Sequence, residues 1–317
     1  MPSFFHELSD AKDLFATVAG EKGIPEVVVE KDYWVMHCLW GLQQQGFKFE
    51  MKGGTSLSKG WSVIDRFSED IDMRFDPPLE LNIKGTKPQH VKARFDFFDG
   101  LASKINIPGI SVERKRAFDD ERAQNGGISL KYDSLFDPNP DIGLKPDVLL
   151  EVGFARTAPN EPRSISSWVL DKALAAADKL DVRDNRASDV VCFNPEYTFV
   201  DKLQTICRRF RQYRDRRDPQ KDRPLQFMRH YYDLYRLLEV RRVLDFIPTK
   251  EYQDYKKEKL RGEDAEEFKT REPFIISDVK TRAVFGEEFK SLRGLLFSSC
   301  PSFPDVLGVI SGHALRF

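Results

Sequence analysis

The pattern that most restricts the fold is a pair of aspartates two residues apart, Asp70 and Asp72, preceded by Gly53-Gly54 and followed by Glu151 inside the apolar run PDVLLEVGF. Alternate residues of a strand share a face, so a strand at Ile71–Phe75 sets the two carboxylates side by side. Carboxylates that close repel each other unless a cation joins them. Glu151, flanked by Leu150 and Val152, is costly to bury unless it is paired or binds a metal. The pattern asks for a sheet that gathers acids from neighbouring strands.

Helical periodicity marks residues 7–21 and, more clearly, the segment after Glu26, where Val35, Cys38, Leu39 and Leu42 fall at i, i+3, i+4, i+7. Residues 47–52 read as a strand that runs into the glycine pair, 55–61 as a short helix, and 91–105 as a helix returning across the sheet. Further strands are expected at 111–117, 127–132 and 147–154, with two more at 164–169 and 190–193. From Pro195 the texture turns helical: Phe199, Leu203, Ile206 and Phe210 form one stripe, and Phe227, Tyr231, Leu234 and Leu238 another. Loops rich in proline and charge (218–224, 247–250, 271–273) separate the helices. The expected class is α/β (α+β), with a mixed-sheet domain over 1–193. A helical domain over 194–317 is expected to complete the active-site cleft.

Hard oxygen ligands at Asp70 and Asp72 suit Mg²⁺, with Mn²⁺ as the alternative, in a shell filled by substrate phosphate and water. Glu151 would add a third ligand and allow two ions, one activating a hydroxyl and one neutralising a triphosphate and its leaving pyrophosphate. Asp147, at the start of the same strand, is the rival for that place. Gly53 and Gly54 lack Cβ atoms, so their N–H groups can approach phosphate oxygens. A helix opening at Thr55 would add its dipole, and the Thr55 and Ser56 hydroxyls could donate as well. Lys59 and Arg66 are secondary triphosphate candidates, each with a solvated role as the alternative. A Walker A loop needs Gly directly before its Lys, and Ser58-Lys59 fails that test. A D-x-D glycosyltransferase would leave the glycine loop unexplained.

At 317 residues the chain is long enough for two ordinary domains. Its 50 basic and 51 acidic residues create no global field that would betray a nucleic-acid partner. Residues 208–223 are the local exception, with eight Lys or Arg, three Asp and a net of +5. Alone, such a run is a solvated helix end; were the partner an RNA, it would be the candidate contact for the RNA backbone. No stretch approaches the ~20 apolar residues of a membrane span, and the first 16 residues lack the basic-then-apolar order of a secretory signal. Cys38, Cys192, Cys207 and Cys300 are spaced as free thiols, which argues against zinc and for a reducing compartment, so the cytoplasm is expected. His6, His37, His90, His230 and His313 share no ligand spacing. His230 reads as a packing residue, with a base or phosphate contact as the alternative.

Hydrophobic-Gly-Gly, a variable stretch, D-x-D and a later strand acid together resemble the polymerase β nucleotidyltransferase superfamily. The string KGGTSLSKGWSVIDRFSEDIDM resembles the AbiEii-type nucleotidyltransferase toxins more specifically, as do EKDYWVMHCLWGL, YTFVDKLQTI and RHYYDLYRLL. These blocks run from Glu30 to Leu238 and leave the chain beyond about residue 240 unsupported. The gap between Gly54 and Asp70 is longer than in many superfamily members, though usual for the AbiEii-like branch.

The resemblance implies a polymerase β-like domain with Ser68, Asp70 and Asp72 on the S-x-D-x-D motif, Lys202 as the essential lysine and Asp233 as the late acid. It implies transfer of a nucleoside monophosphate from NTP, in several members to the 3′ end of tRNA, which blocks translation. It also implies an operon-encoded antitoxin that represses the shared operon without binding the toxin. The residues allow these roles. Lys202, one position off its apolar stripe, can stabilise charge on a leaving phosphate. Asp233 can orient Lys202 through an ion pair, or pair with a near neighbour such as Arg229 or Arg236. A small-molecule or protein acceptor stays open, as does a nucleotide-binding regulator without transfer. Intact Asp70, Asp72 and Lys202 argue against the regulator.

Overall fold

In the computed structural model, which describes residues 2–77, 80–137, 144–155, 157–176, 181–215, 227–297 and 300–317, Asp72 lies on a central strand and Asp70 immediately before that strand. Seven strands, β1 (Phe49–Lys52), β2 (Ile71–Phe75), β3 (Ser111–Lys115), β4 (Asn125–Lys131), β5 (Asp147–Gly153), β6 (Asn160–Ile165) and β7 (Ala187–Phe193), form one sheet. Their order is β3-β4-β5-β2-β1-β7-β6. β2 runs parallel to β5 and β1 parallel to β7, while the remaining neighbours are antiparallel. The class is mixed α/β, as the alternation of strand and helix signals implied.

Strand parity gives the sheet two unlike faces. One cross-strand row reads Lys52, Asp72, Glu151, Gly127, and the next reads Glu50, Arg74, Gly153, Asn125. The intervening residues Met51, Ile71, Met73, Ile128, Leu150 and Val152 are fully buried on the opposite face. At about 1.5–3 kcal/mol for each large apolar side chain removed from water, that face anchors the register, and a one-residue slip would turn the acids into the core. The helix Glu26–Gln44 packs against β5 and β7 and is buried on nearly every side, which explains its apolar composition.

Two local expectations change. The strand expected at 164–169 ends at Ile165, and the helix Trp168–Ala175 follows, because Ser167 caps it by accepting from the Leu170 N–H at 3.3 Å. The turn after β1 is helical over Gly53–Thr55 and then widens to a π-type turn over Ser56–Gly60.

The chain divides into two compact units. The first holds Met1–Trp61 and Phe67–Phe193, and the second holds Ser62–Arg66 and Asn194–Phe317. Five residues between the glycine pair and the aspartates therefore belong with the later helices. In the second unit, Pro195–Asp215 and Met228–Leu237 are long helices whose apolar stripes are buried. Tyr231 sits among Phe227, Phe285 and Phe303 and donates its hydroxyl to the Pro273 carbonyl at 2.8 Å. The region beyond residue 240 thus builds the core around the RHYYD segment. Among the described residues, no helix is long and apolar enough to cross a membrane.

Candidate active site

Strand β2 presents Asp72 beside Glu151 of β5 in register, with Asp70 two residues earlier on the same face. All three acids are half-buried. Burial, then the charges of Asp72 and Asp70, push Glu151 up to about 7, and its hydrogen-bond contact with Asp72 adds to the rise. Burial also raises Asp70, opposed by the adjacent Lys145. Such mutual elevation is the mark of acids crowded without enough positive charge. Glu151 lies in register beside Asp72, whereas Asp147 is buried and accepts a hydrogen bond from the Ser129 hydroxyl.

Gly53 has a specific reason to be glycine. Its φ is +71°, and a Cβ there would overlap the Asp72 carboxylate. The glycine thus makes room for a site acid, in addition to the phosphate approach read from the sequence. Thr55 is buried and donates its hydroxyl to the backbone carbonyls of Asp70 and Ser68, which ties the turn to the start of β2. That hydroxyl is engaged inside the protein. Ser56 is buried against the Cys192 thiol, Gly54 is buried, and Ser68 is half-buried.

Three consecutive charged residues, Glu30, Lys31 and Asp32, are each at most 1% exposed in the middle of the Glu26–Gln44 helix. Successive helical residues splay about 100° apart, so each ties down a different segment. Glu30 accepts from the Ser134 hydroxyl at 2.5 Å and the Leu135 N–H at 2.8 Å. Lys31 donates to Glu69 at 3.1 Å and to the Lys145 carbonyl at 2.5 Å, while the Lys145 N–H donates to the same Glu69 oxygen at 2.7 Å. Asp32 accepts from the Trp168 N–H at 3.0 Å and pairs with Lys59. Lys59 also donates to the Ser166 carbonyl at 3.1 Å and lies 4.9 Å from the Trp168 ring centre. These partners hold Lys59 to the Glu26–Gln44 helix and the segment around Trp168.

Lys145 was not singled out by its sequence context, a lone lysine before proline. Its ammonium donates to both Asp70 carboxylate oxygens, at 2.8 and 2.7 Å. Among the described residues, no three potential ligands converge on a closed coordination shell in this arrangement. The donor set nonetheless fits a divalent cation: the hard carboxylates of Asp70, Asp72 and Glu151 lie close together, and the ammonium in contact with them, that of Lys145, meets Asp70.

In the second unit, Asp233 is completely buried and takes two cations. Arg66 grips it with two bonds, Nε to Oδ1 at 2.6 Å and Nη2 to Oδ2 at 2.8 Å, and Lys202 Nζ lies 2.6 Å from Oδ2. Burial alone would raise this carboxylate, but Arg66 and Lys202 outweigh it and hold it well below the usual range. Arg66 is thus an ion-pair partner of Asp233 here, a contact not foreseen for it. Lys202 Nζ also lies 3.4 Å from His230 Nδ1. Burial and then Lys202 lower the affinity of His230 for a second proton.

The basic run is less available than its charge suggested. Arg211 pairs with Glu263 and Asp264, Arg214 lies 2.8 Å from Glu267, and Arg208 lies 3.7 Å from Asp264. One acidic helix, Glu263–Thr270, thus meets an i, i+3 stripe of arginines. Residues 216–223 of the run lie outside the described residues. The four cysteines are free thiols.

These features place the chain among the nucleotidyltransferases. A family model described as "Nucleotidyl transferase AbiEii toxin, Type IV TA system" matches residues 37–307, and the chain belongs to that family. It is a nucleotidyltransferase toxin of a type IV toxin–antitoxin system, with a nucleotide as substrate and an antitoxin as its counterpart. No curated protein matches the sequence. Among solved structures, the chain is similar to JHP933 from Helicobacter pylori, with 14% identity over 92% of each chain and a TM-score of 0.47.

Proposed function

We propose that this enzyme transfers a nucleoside monophosphate from an NTP to an RNA hydroxyl, the 3′ end of a tRNA being the acceptor, in a reaction that depends on Mg²⁺. The observation that carries the reading is the cross-strand pair Asp72–Glu151 with Asp70 on the same face, beside the turn at Gly53. Asp70, Asp72 and Glu151 would hold the metal, which would supply charge neutralisation for the triphosphate and activation of the attacking hydroxyl. Gly53, Gly54 and Ser68 would face the nucleotide phosphates with small groups and backbone N–H donors.

For Lys202 the proposed role is to stabilise charge on the departing pyrophosphate. Asp233 fixes its ammonium within 2.6 Å and so removes the entropy of positioning it. His230, beside Lys202, is the further candidate for a phosphate or base contact. The membership of a toxin family, rather than the basic run, supports an essential RNA as acceptor.

The test is to incubate the protein with each labelled NTP and total RNA, then with purified tRNA, and to resolve the products on a gel. A labelled tRNA band that disappears when Asp72 is replaced by Asn is the expected result. Label in protein or in a small molecule, with RNA unlabelled, would overturn the acceptor. Cytoplasmic location belongs to the same reading, since tRNA and NTP are met there.

A further inference from the structure

The backbone of Lys145 is held on both sides by buried groups, whereas its side chain is partly open to solvent. Its N–H is taken by Glu69 and its carbonyl by Lys31, and these two residues are themselves paired at 3.1 Å. Lys31 is 1% exposed, so this three-way clamp is a buried fixture rather than a surface accident. The side chain, by contrast, is 25% exposed and reaches from the clamp to Asp70, with the Phe118 ring centre 5.2 Å from its ammonium. The ammonium lies 2.7–2.8 Å from both oxygens of one carboxylate, the position in which a cation shared by those oxygens would sit.

From this geometry we infer that Lys145 is the resident counter-cation of the acid face: its ammonium holds Asp70 while divalent metal is absent and competes with that metal for the same carboxylate. The inference rests on the metal-dependent reading above. Three acids in close array would otherwise repel in the free enzyme, and the ammonium offsets that repulsion. Metal binding then requires the ammonium to leave Asp70. The clamp keeps it on a short tether, and the anion it meets there is the polyphosphate of the incoming nucleotide. Metal and nucleotide are therefore coupled: the metal binds weakly alone and more tightly once a triphosphate can receive the displaced lysine.

The experiment is a Mn²⁺ titration followed by electron paramagnetic resonance, with and without a non-hydrolysable NTP analogue, on wild type, Lys145→Met, Lys145→Gln and Lys145→Arg. Lys145→Met and Lys145→Gln should bind Mn²⁺ alone about tenfold more tightly than wild type, and the gain from the analogue should shrink correspondingly. Lys145→Arg keeps the charge and should keep weak binding. Thermal melting of each metal-free protein verifies folding, and added Mn²⁺ should raise the melting temperature of the Met and Gln variants more than that of wild type. Wild-type Mn²⁺ affinity in both neutral variants overturns the inference and leaves the metal reading standing. No Mn²⁺ binding by any of the proteins, with or without nucleotide, overturns the metal reading itself and this inference with it.

Discussion

The acid face of the sheet and the Asp233 cluster of the second unit are built from the same kinds of residue in opposite proportion. On the sheet, Asp70, Asp72 and Glu151 face one ammonium in contact, and Glu151 is pushed up to about 7. Around Asp233 one carboxylate faces a guanidinium and an ammonium, and it is held well below its usual range. Burial opposes charge in both places, so burial alone does not separate them. The ratio of charges does. An under-compensated cluster is a site that gains by taking a cation, whereas a compensated one fixes its members in place.

Three substitutions test that contrast. The largest effect is expected for Asp72→Asn, which should lower transfer by about 10³-fold or more, since several kcal/mol of charge stabilisation depend on the acids. Its melting temperature should not fall, because one of three repelling charges is gone. A loss of stability there would break the comparison. Asp233→Asn should do the reverse to stability, costing about 3–5 kcal/mol by leaving Arg66 and Lys202 without their buried carboxylate.

Its pH dependence has a definite sign. The folded carboxylate is depressed below its unfolded value of about 3.9, so its contribution is complete above that value and is lost as pH falls through the folded one. Urea unfolding of wild type and Asp233→Asn should therefore show a constant gap from pH 7 to 5 that closes below about pH 4. A gap that stays open in acid would mean that the pair is not what stabilises this cluster. The smallest effect is expected for Gly53→Ala, at about 1–3 kcal/mol from positive φ, with transfer reduced because the new methyl displaces Asp72. Full activity in that variant would show that Asp72 has more room than the backbone implies.

What could be read from the sequence was what repeats locally. Strand parity placed Asp70 and Asp72 on one face, and the apolar neighbours of Glu151 marked it as an acid in a central strand. Helical stripes located Pro195–Asp215 and Met228–Leu237. The helix Trp168–Ala175 was missed because the apolar residues Val169 and Leu170 prolong a strand-like run, although Ser167 ahead of them was a cap signal. The burial of Glu30, Lys31 and Asp32 had no local signal, since charges on a helix ordinarily face water. Their partners lie 27 to 136 residues away, beyond any local pattern. Lys145 was hidden for the same reason, as was the pairing of Arg66 with Asp233, 167 residues on.

The long reach of those contacts also bears on when a toxin of this kind becomes dangerous to the cell that makes it. The strand that carries Met51 finds its parallel neighbour only at Val191 and Cys192, and the Asp32 side chain waits for Trp168. Closing loops of that size is slow and gains nothing until both ends exist. A ribosome adding about 5–20 residues per second therefore carries an incomplete sheet for many seconds after both aspartates have emerged. A prematurely terminated product ending before β7 lacks the strand that seals β1, and synthesis of Asp70 and Asp72 precedes by more than a hundred residues the strand that completes this side of the sheet.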